Sequence, residues 1–121
     1  MNVGLWVLQG LLSVAVFLAG TMKLVSSKDV LVTRGMGWAE DFSARNVKLI
    51  GLAEVLGAIG LVAPRATGIA PLLTPVAAVC LCAIMIGGAV VHVRRNENPA
   101  PPIVLGVVAV AVAVGRFVLS A

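Results

Sequence analysis

The sequence predicts an all-α membrane protein, a four-transmembrane-helix bundle with a short interfacial helix between helices 1 and 2. Three observations carry this. Of 121 residues, 60% are hydrophobic and only 12% are charged, against about 25% charged in an ordinary soluble domain, and the mean hydropathy is +1.10. Four apolar stretches are each long enough to cross about 30 Å of hydrocarbon, which takes about 20 helical residues. Each stretch holds or ends in one ionisable side chain: Lys23, Glu54, His92 and Arg116 in turn. Four spans and their connections use up the chain, so a single membrane domain over residues 1–121 is expected.

The first span is expected at about residues 3–25. It has no basic leader, its apolar run exceeds that of a signal peptide and no A-x-A site follows, so it reads as a retained helix. The second span is expected at about 45–62, with Ser43 as N-cap and Pro64 as its stop. The third is expected at about 69–93, from Ile69 to His92 and Val93, with Arg94 and Arg95 directly behind it. The fourth follows the Pro99-Ala100-Pro101-Pro102 breaker, over about 102–120. Alternating Ala and Val from Val107 to Val114 imitate a strand period, but the length of the run favours a helix.

The long connection from Ser26 to Ala44 mixes Leu31, Val32, Met36, Trp38 and Phe42 with Lys28, Asp29, Arg34, Glu40 and Asp41. That mixture suits a short helix lying in the membrane interface with Trp38 as its anchor, covering one mouth of the bundle.

The net charge of +4 would suggest a nucleic-acid partner in a soluble protein. Here most basic residues flank the spans, so they read as topology signals and no nucleic-acid partner is expected. The first and third connections share Lys28, Arg34, Arg45, Lys48, Arg94 and Arg95, whereas the second has only Arg65. The positive-inside rule then places both basic connections in the cytoplasm and both termini outside, in a multi-pass protein of the cell membrane, of bacterial inner-membrane type.

Rotation by 100° per residue places Gln9, Ser13, Val16, Gly20 and Lys23 within a stripe of about 80° on span 1. On span 3, Thr74, Ala78, Leu81, Met85, Gly88 and His92 share a face in the same way. Glu54 shares its face of span 2 with Ile50, Ala58 and Leu61. Lys23 and His92 should lie within about a turn of the cytoplasmic interface and Glu54 about 10 Å in, so these three are expected to meet. Arg116 lies about 21 Å from that side and is expected in the other half of the bundle, with Gln9 and Thr74.

Charged groups at such depths cost at least about 2.5–3.5 kcal/mol and usually carry function. Plainer readings stand beside that one. Lys23 and His92 can snorkel to the interface, Arg116 can reach the outer headgroups, and Glu54 can be half of a structural ion pair. A neighbouring Lys23 would hold Glu54 ionised, and a nearby His92 would add a group able to move a proton at neutral pH. One His, one Glu and two cysteines make no metal-ligand set. Cys80 and Cys82, two residues apart, point about 200° away from each other on a helix, so they read as apolar filler and not as a disulfide.

The segment from Lys48 through Glu54 to Pro64, the Pro71-Leu72-Leu73-Thr74-Pro75 run with Ala78, and Met85, Gly88, Ala89, His92 and Arg95 together resemble the DoxX-like family of small four-helix membrane proteins. Ala19-Gly20 with Lys23-Leu24, Met36-Gly37-Trp38 and Gly115-Arg116-Phe117 extend the resemblance to nearly the whole chain. The resemblance implies a bundle whose interior is lined by Lys23, Glu54, His92 and Arg116. Relatives are linked to quinone-coupled thiosulfate oxidation, to redox-enzyme partners or to assembly. This chain has no C-x-x-C and no haem or flavin signature, so no cofactor is expected, and a redox role would be analogy at the level of the fold.

Three functions compete. The first is a pocket for a lipophilic molecule of the quinone or isoprenoid class, in which Glu54 and His92 bind or exchange protons and Lys23, Arg116, Gln9, Thr74, Met85 and Trp38 complete the ligand site. The second is an enzyme for isomerisation, epoxide opening or cyclisation of an apolar substrate, with Glu54 and His92 as acid and base. The third is a structural or assembly subunit of a membrane redox complex, its small-residue faces joining helices within the chain, in a homo-oligomer or against a membrane partner. Membrane lipid surrounds the protein in all three.

Overall fold

The computed structural model describes residues 2–70 and 72–118. Four long helices dominate it: α1 (Asn2–Val25), α3 (Ala44–Thr67), α4 (Leu73–Arg94) and α5 (Ala100–Val118). Between the first two lie α2 (Lys28–Thr33) and a 3-10 turn, Gly37–Asp41. All four long helices are apolar enough to cross a membrane.

Capping explains where they start and stop. The Ser43 hydroxyl accepts from Asn46 N at 3.1 Å and opens α3, as the sequence indicated. Ser27 does the same for α2, accepting from Val30 N at 3.3 Å. Lys48 Nζ donates to the Leu24 carbonyl at 2.8 Å, satisfying one orphan acceptor at the end of α1.

Both proline expectations need correction. Pro64 lies inside α3, which runs on to Thr67 and ends at Gly68, held left-handed at φ 74°. A proline costs the ladder a single N–H, and with the helix end one turn away the loss stays local. The third span starts four residues later than expected, at Leu73, because Gly68 turns the chain first. Pro101 and Pro102 lie within the first turn of α5, where N–H groups have no helical acceptor in any case. Asn98 Oδ1 accepts from Ala100 N at 3.0 Å at that end.

Helices α1 and α3 pack most closely, as do α4 and α5, and contacts of α3 with α4 and α1 with α5 close the ring. At the crossing of α1 and α3, glycine meets glycine. A Cβ built on Gly20 would lie 2.7 Å from the Gly51 carbonyl, and one on Gly51 would lie 2.8 Å from the Gly20 carbonyl. Small residues allow this approach, and packing is what holds helices together in lipid.

The core at the centre comprises Leu12, Val16, Ala58, Leu61, Ala78, Leu81, Met85, Ala109, Val112 and Ala113. On the opposite face of α1, Val3, Val7, Leu11, Val14 and Leu18 are exposed at helical spacing. This outward stripe is a lipid-facing belt.

Candidate functional site

The polar stripe foreseen on α1 faces the bundle interior. Gln9, Val16, Gly20 and Lys23 are buried and Ser13 is half-buried. Each polar member meets α3: Gln9 Nε2 donates to the Leu61 carbonyl at 2.6 Å, Ser13 Oγ to the Ala58 carbonyl at 2.8 Å, and Lys23 Nζ to Glu54 Oε1. The result is a ladder of polar contacts between two helices whose backbones touch at Gly20 and Gly51.

At one end of the ladder, Lys23 and Glu54 form an ion pair with both side chains buried. Trp38 covers it, its ring centroid 5.4 Å from Lys23 Nζ, a cation–π distance. Trp38 also meets Phe42 edge to face at 5.6 Å and packs on a small core of Leu31, Ala39 and Val47. The residue expected to anchor the connection in the interface is thus half-buried over the charged pair.

The structure corrects the expected trio. His92 is not joined to the Lys23–Glu54 pair; its Nδ1 lies 3.0 Å from Glu97 Oε1 in the turn after α4, a contact that becomes a hydrogen bond when Nδ1 carries the proton. Glu97 in turn receives Arg95 Nε at 2.9 Å, and Arg95 reaches Asp41 at 2.9 Å and Glu40 at 3.2 Å. Asp41 first, and Glu97 after it, hold the Arg95 guanidinium above its ordinary pKa range. This clasp ties the 3-10 turn carrying Trp38 to the end of α4. Gly37 lies against it, since a Cβ there would be 3.3 Å from both Arg95 Nη2 and Glu97 Oε2.

At the other end of the ladder, in the half of the bundle that holds Gln9, Arg116 is wholly buried and its Nε donates to Gln9 Oε1. Trp6 lies with its ring 5.2 Å from the guanidinium carbon. Thr74 is buried, and its hydroxyl has no hydrogen-bond partner among the described residues. Met85 belongs to the apolar core. Sequence reasoning missed Trp6 and Glu97. Trp6 lies one turn before Gln9 on a face that only the position of α5 makes interior, and Glu97 follows the span in a turn with no periodicity to read.

Open space adjoins the Lys23 end. A depression of about 410 Å³ is lined by Lys23, Lys28, Lys48, Ser26, Ser27 and Asp29 together with Val25, Ala44 and Val47. A second, of about 460 Å³, opens beside it at Lys28, Asp29, Val32, Thr33 and Glu40. Deeper in, beyond Glu54, the apolar core fills the bundle axis.

No curated protein and no solved structure matches the chain. With four apolar helices around a polar ladder, and with sequence agreement over residues 7–114, this chain is a small multi-pass membrane protein and belongs to the DoxX-like family.

Proposed function

We propose that this protein holds a lipophilic molecule of the quinone or isoprenoid class by its polar end, at the mouth of the bundle where Lys23 and Glu54 are paired. One observation carries the reading: Lys23 of a buried ion pair roofed by Trp38 lines an open depression, with its partner Glu54 directly behind it. Apolar walls with a few convergent polar groups are what ligand sites offer. Glu54 accepts from the ligand or exchanges a proton with it, and Lys23 balances the charge. The acid–base enzyme reading called for Glu54 and His92 on one substrate, and His92 is engaged by Glu97 instead. In the proposed orientation both termini lie outside and the mouth faces the cytoplasm; a C-terminal alkaline phosphatase fusion should be active, and an inactive one would reverse it.

Binding of decylubiquinone to the purified protein tests this function. Glu54→Gln and Lys23→Met should each weaken binding about tenfold or more, the loss of one charge-assisted contact. Unchanged affinity in both variants would overturn the reading.

A second reading has its own support. The ladder joins α1 to α3 at every polar step, and the belt of exposed Val and Leu offers only an apolar surface to its surroundings. On this reading the protein is a structural subunit of a membrane complex, and Glu54→Gln would lower recovery of that complex without any effect on small-molecule binding.

A further inference from the structure

Two lysines border the mouth without taking part in its ion pair. Lys28 arrives on the first turn of α2 and Lys48 on the second turn of α3, and both line the same depression as Ser26, Ser27 and Asp29. Lys23 and Glu54 neutralise each other, and Asp29 offsets one of the two other amines. The wall is left with an excess of one positive charge.

Donors are also left over. Lys48 uses one N–H on the Leu24 carbonyl, and an ammonium has three. The Lys28 amine has no ion pair or hydrogen bond with any described residue. Ser27 Oγ accepts from Val30 N, so its own O–H proton is unspent. Ala44 brings the first turn of α3 to the rim, where the helix dipole favours an anion. Val25, exposed at the end of α1, joins the depression to the lipid-facing belt.

We propose that this depression binds the phosphate head of an amphiphile: its oxygens accept from Lys28, Lys48 and the serine hydroxyls, and its hydrocarbon chain leaves past Val25 along the bundle. The proposal rests on the function proposed above and narrows its ligand to a phosphate-bearing one. A phosphate monoester carries about −1.5 to −2 at pH 7, which the two amines of Lys28 and Lys48 meet. Lys28 and Lys48 bind the head beside Lys23, whose charge Glu54 balances from behind the wall.

The test is a titration of the purified full chain in neutral detergent by native mass spectrometry, with farnesyl phosphate, decylubiquinone and inorganic phosphate as probes. The double variant Lys28→Gln with Lys48→Gln should weaken farnesyl phosphate binding about tenfold or more. Arginine at both positions should restore it, and Arg34→Gln, at an exposed site outside the depression, should leave it unchanged. Competition by inorganic phosphate would make the free anion the source, and its failure to compete would make it the lipid head. Equal farnesyl phosphate affinity in the wild type and the double glutamine variant, or an equal loss in Arg34→Gln, overturns the proposal. If decylubiquinone then still binds and Glu54→Gln abolishes that binding, the inference fails alone; if neither lipophilic probe binds, both fail.

Discussion

Lys23 and Glu54 are paired across the glycine-on-glycine crossing of α1 and α3, with Gly20 and Gly51 one turn away from them on the same two helices. The glycines bring the backbones together, and the closeness of the backbones buries the pair. Glu54 is buried there, and Lys23 is the partner that balances its charge.

Removing one partner should therefore be costly. Glu54→Gln or Lys23→Met alone should destabilise the protein by about 3–5 kcal/mol, the usual penalty for stranding a buried charge, whereas the double substitution should cost less than either single one. Unfolding of detergent-solubilised variants by sodium dodecyl sulfate measures the cycle. Additive single effects would mean that the two side chains act independently.

At the crossing itself, Gly20→Ala and Gly51→Ala should each push α1 away from α3. The added Cβ would come within 2.8 Å of a backbone oxygen, and backbone cannot rotate aside as a side chain can. A loss of about 1–3 kcal/mol is expected, while Gly10→Ala, with open space around it, should be silent in the same assay.

Arg95 should matter locally and little globally. Its ion pairs with Glu40, Asp41 and Glu97 are partly exposed, and such pairs contribute about 0–1 kcal/mol. Arg95→Gln should speed amide hydrogen exchange in residues 37–41, which it ties down, with a small change in overall stability. Unaltered exchange there would show that the core of Leu31, Ala39 and Val47 holds the strap unaided.

Gln9→Leu should cost about 1–3 kcal/mol or more, because it leaves the Leu61 carbonyl and the Arg116 guanidinium each short of one buried partner. Its effect should add to that of Glu54→Gln, since the two sites lie at opposite ends of the ladder and share no partner. A coupling larger than about 0.5 kcal/mol in the combined variant would mean that the ladder responds as one unit.

Helical periodicity made the buried faces legible. The stripes through Gln9 and Lys23 and through Thr74 and Met85 are interior because a 3.6-residue repeat decides which side chains share a face. Depth arithmetic separated Arg116 from Glu54 through the fixed rise of about 1.5 Å per helical residue. Chain stops were less legible, since Pro64 and the Pro101-Pro102 pair are tolerated within one turn of a helix end and the effective stop was Gly68. Depth brings His92, within about a turn of the interface, and Glu54, about 10 Å in, close enough for the pattern to suggest a contact. The partner of His92, Glu97, lies in an aperiodic turn that the helical pattern does not reach.

The central claim is that the Lys23–Glu54 mouth holds a ligand, and photolabelling of the protein in membranes with a diazirine-bearing ubiquinone analogue tests it most directly. The account predicts adducts on the peptide spanning Val25 to Ser27 or on that spanning Ala44 to Val47, competed by unlabelled quinone and lost in Glu54→Gln. Adducts confined to the exposed belt of Val7, Leu11 and Leu18, unchanged by Glu54→Gln, would contradict it.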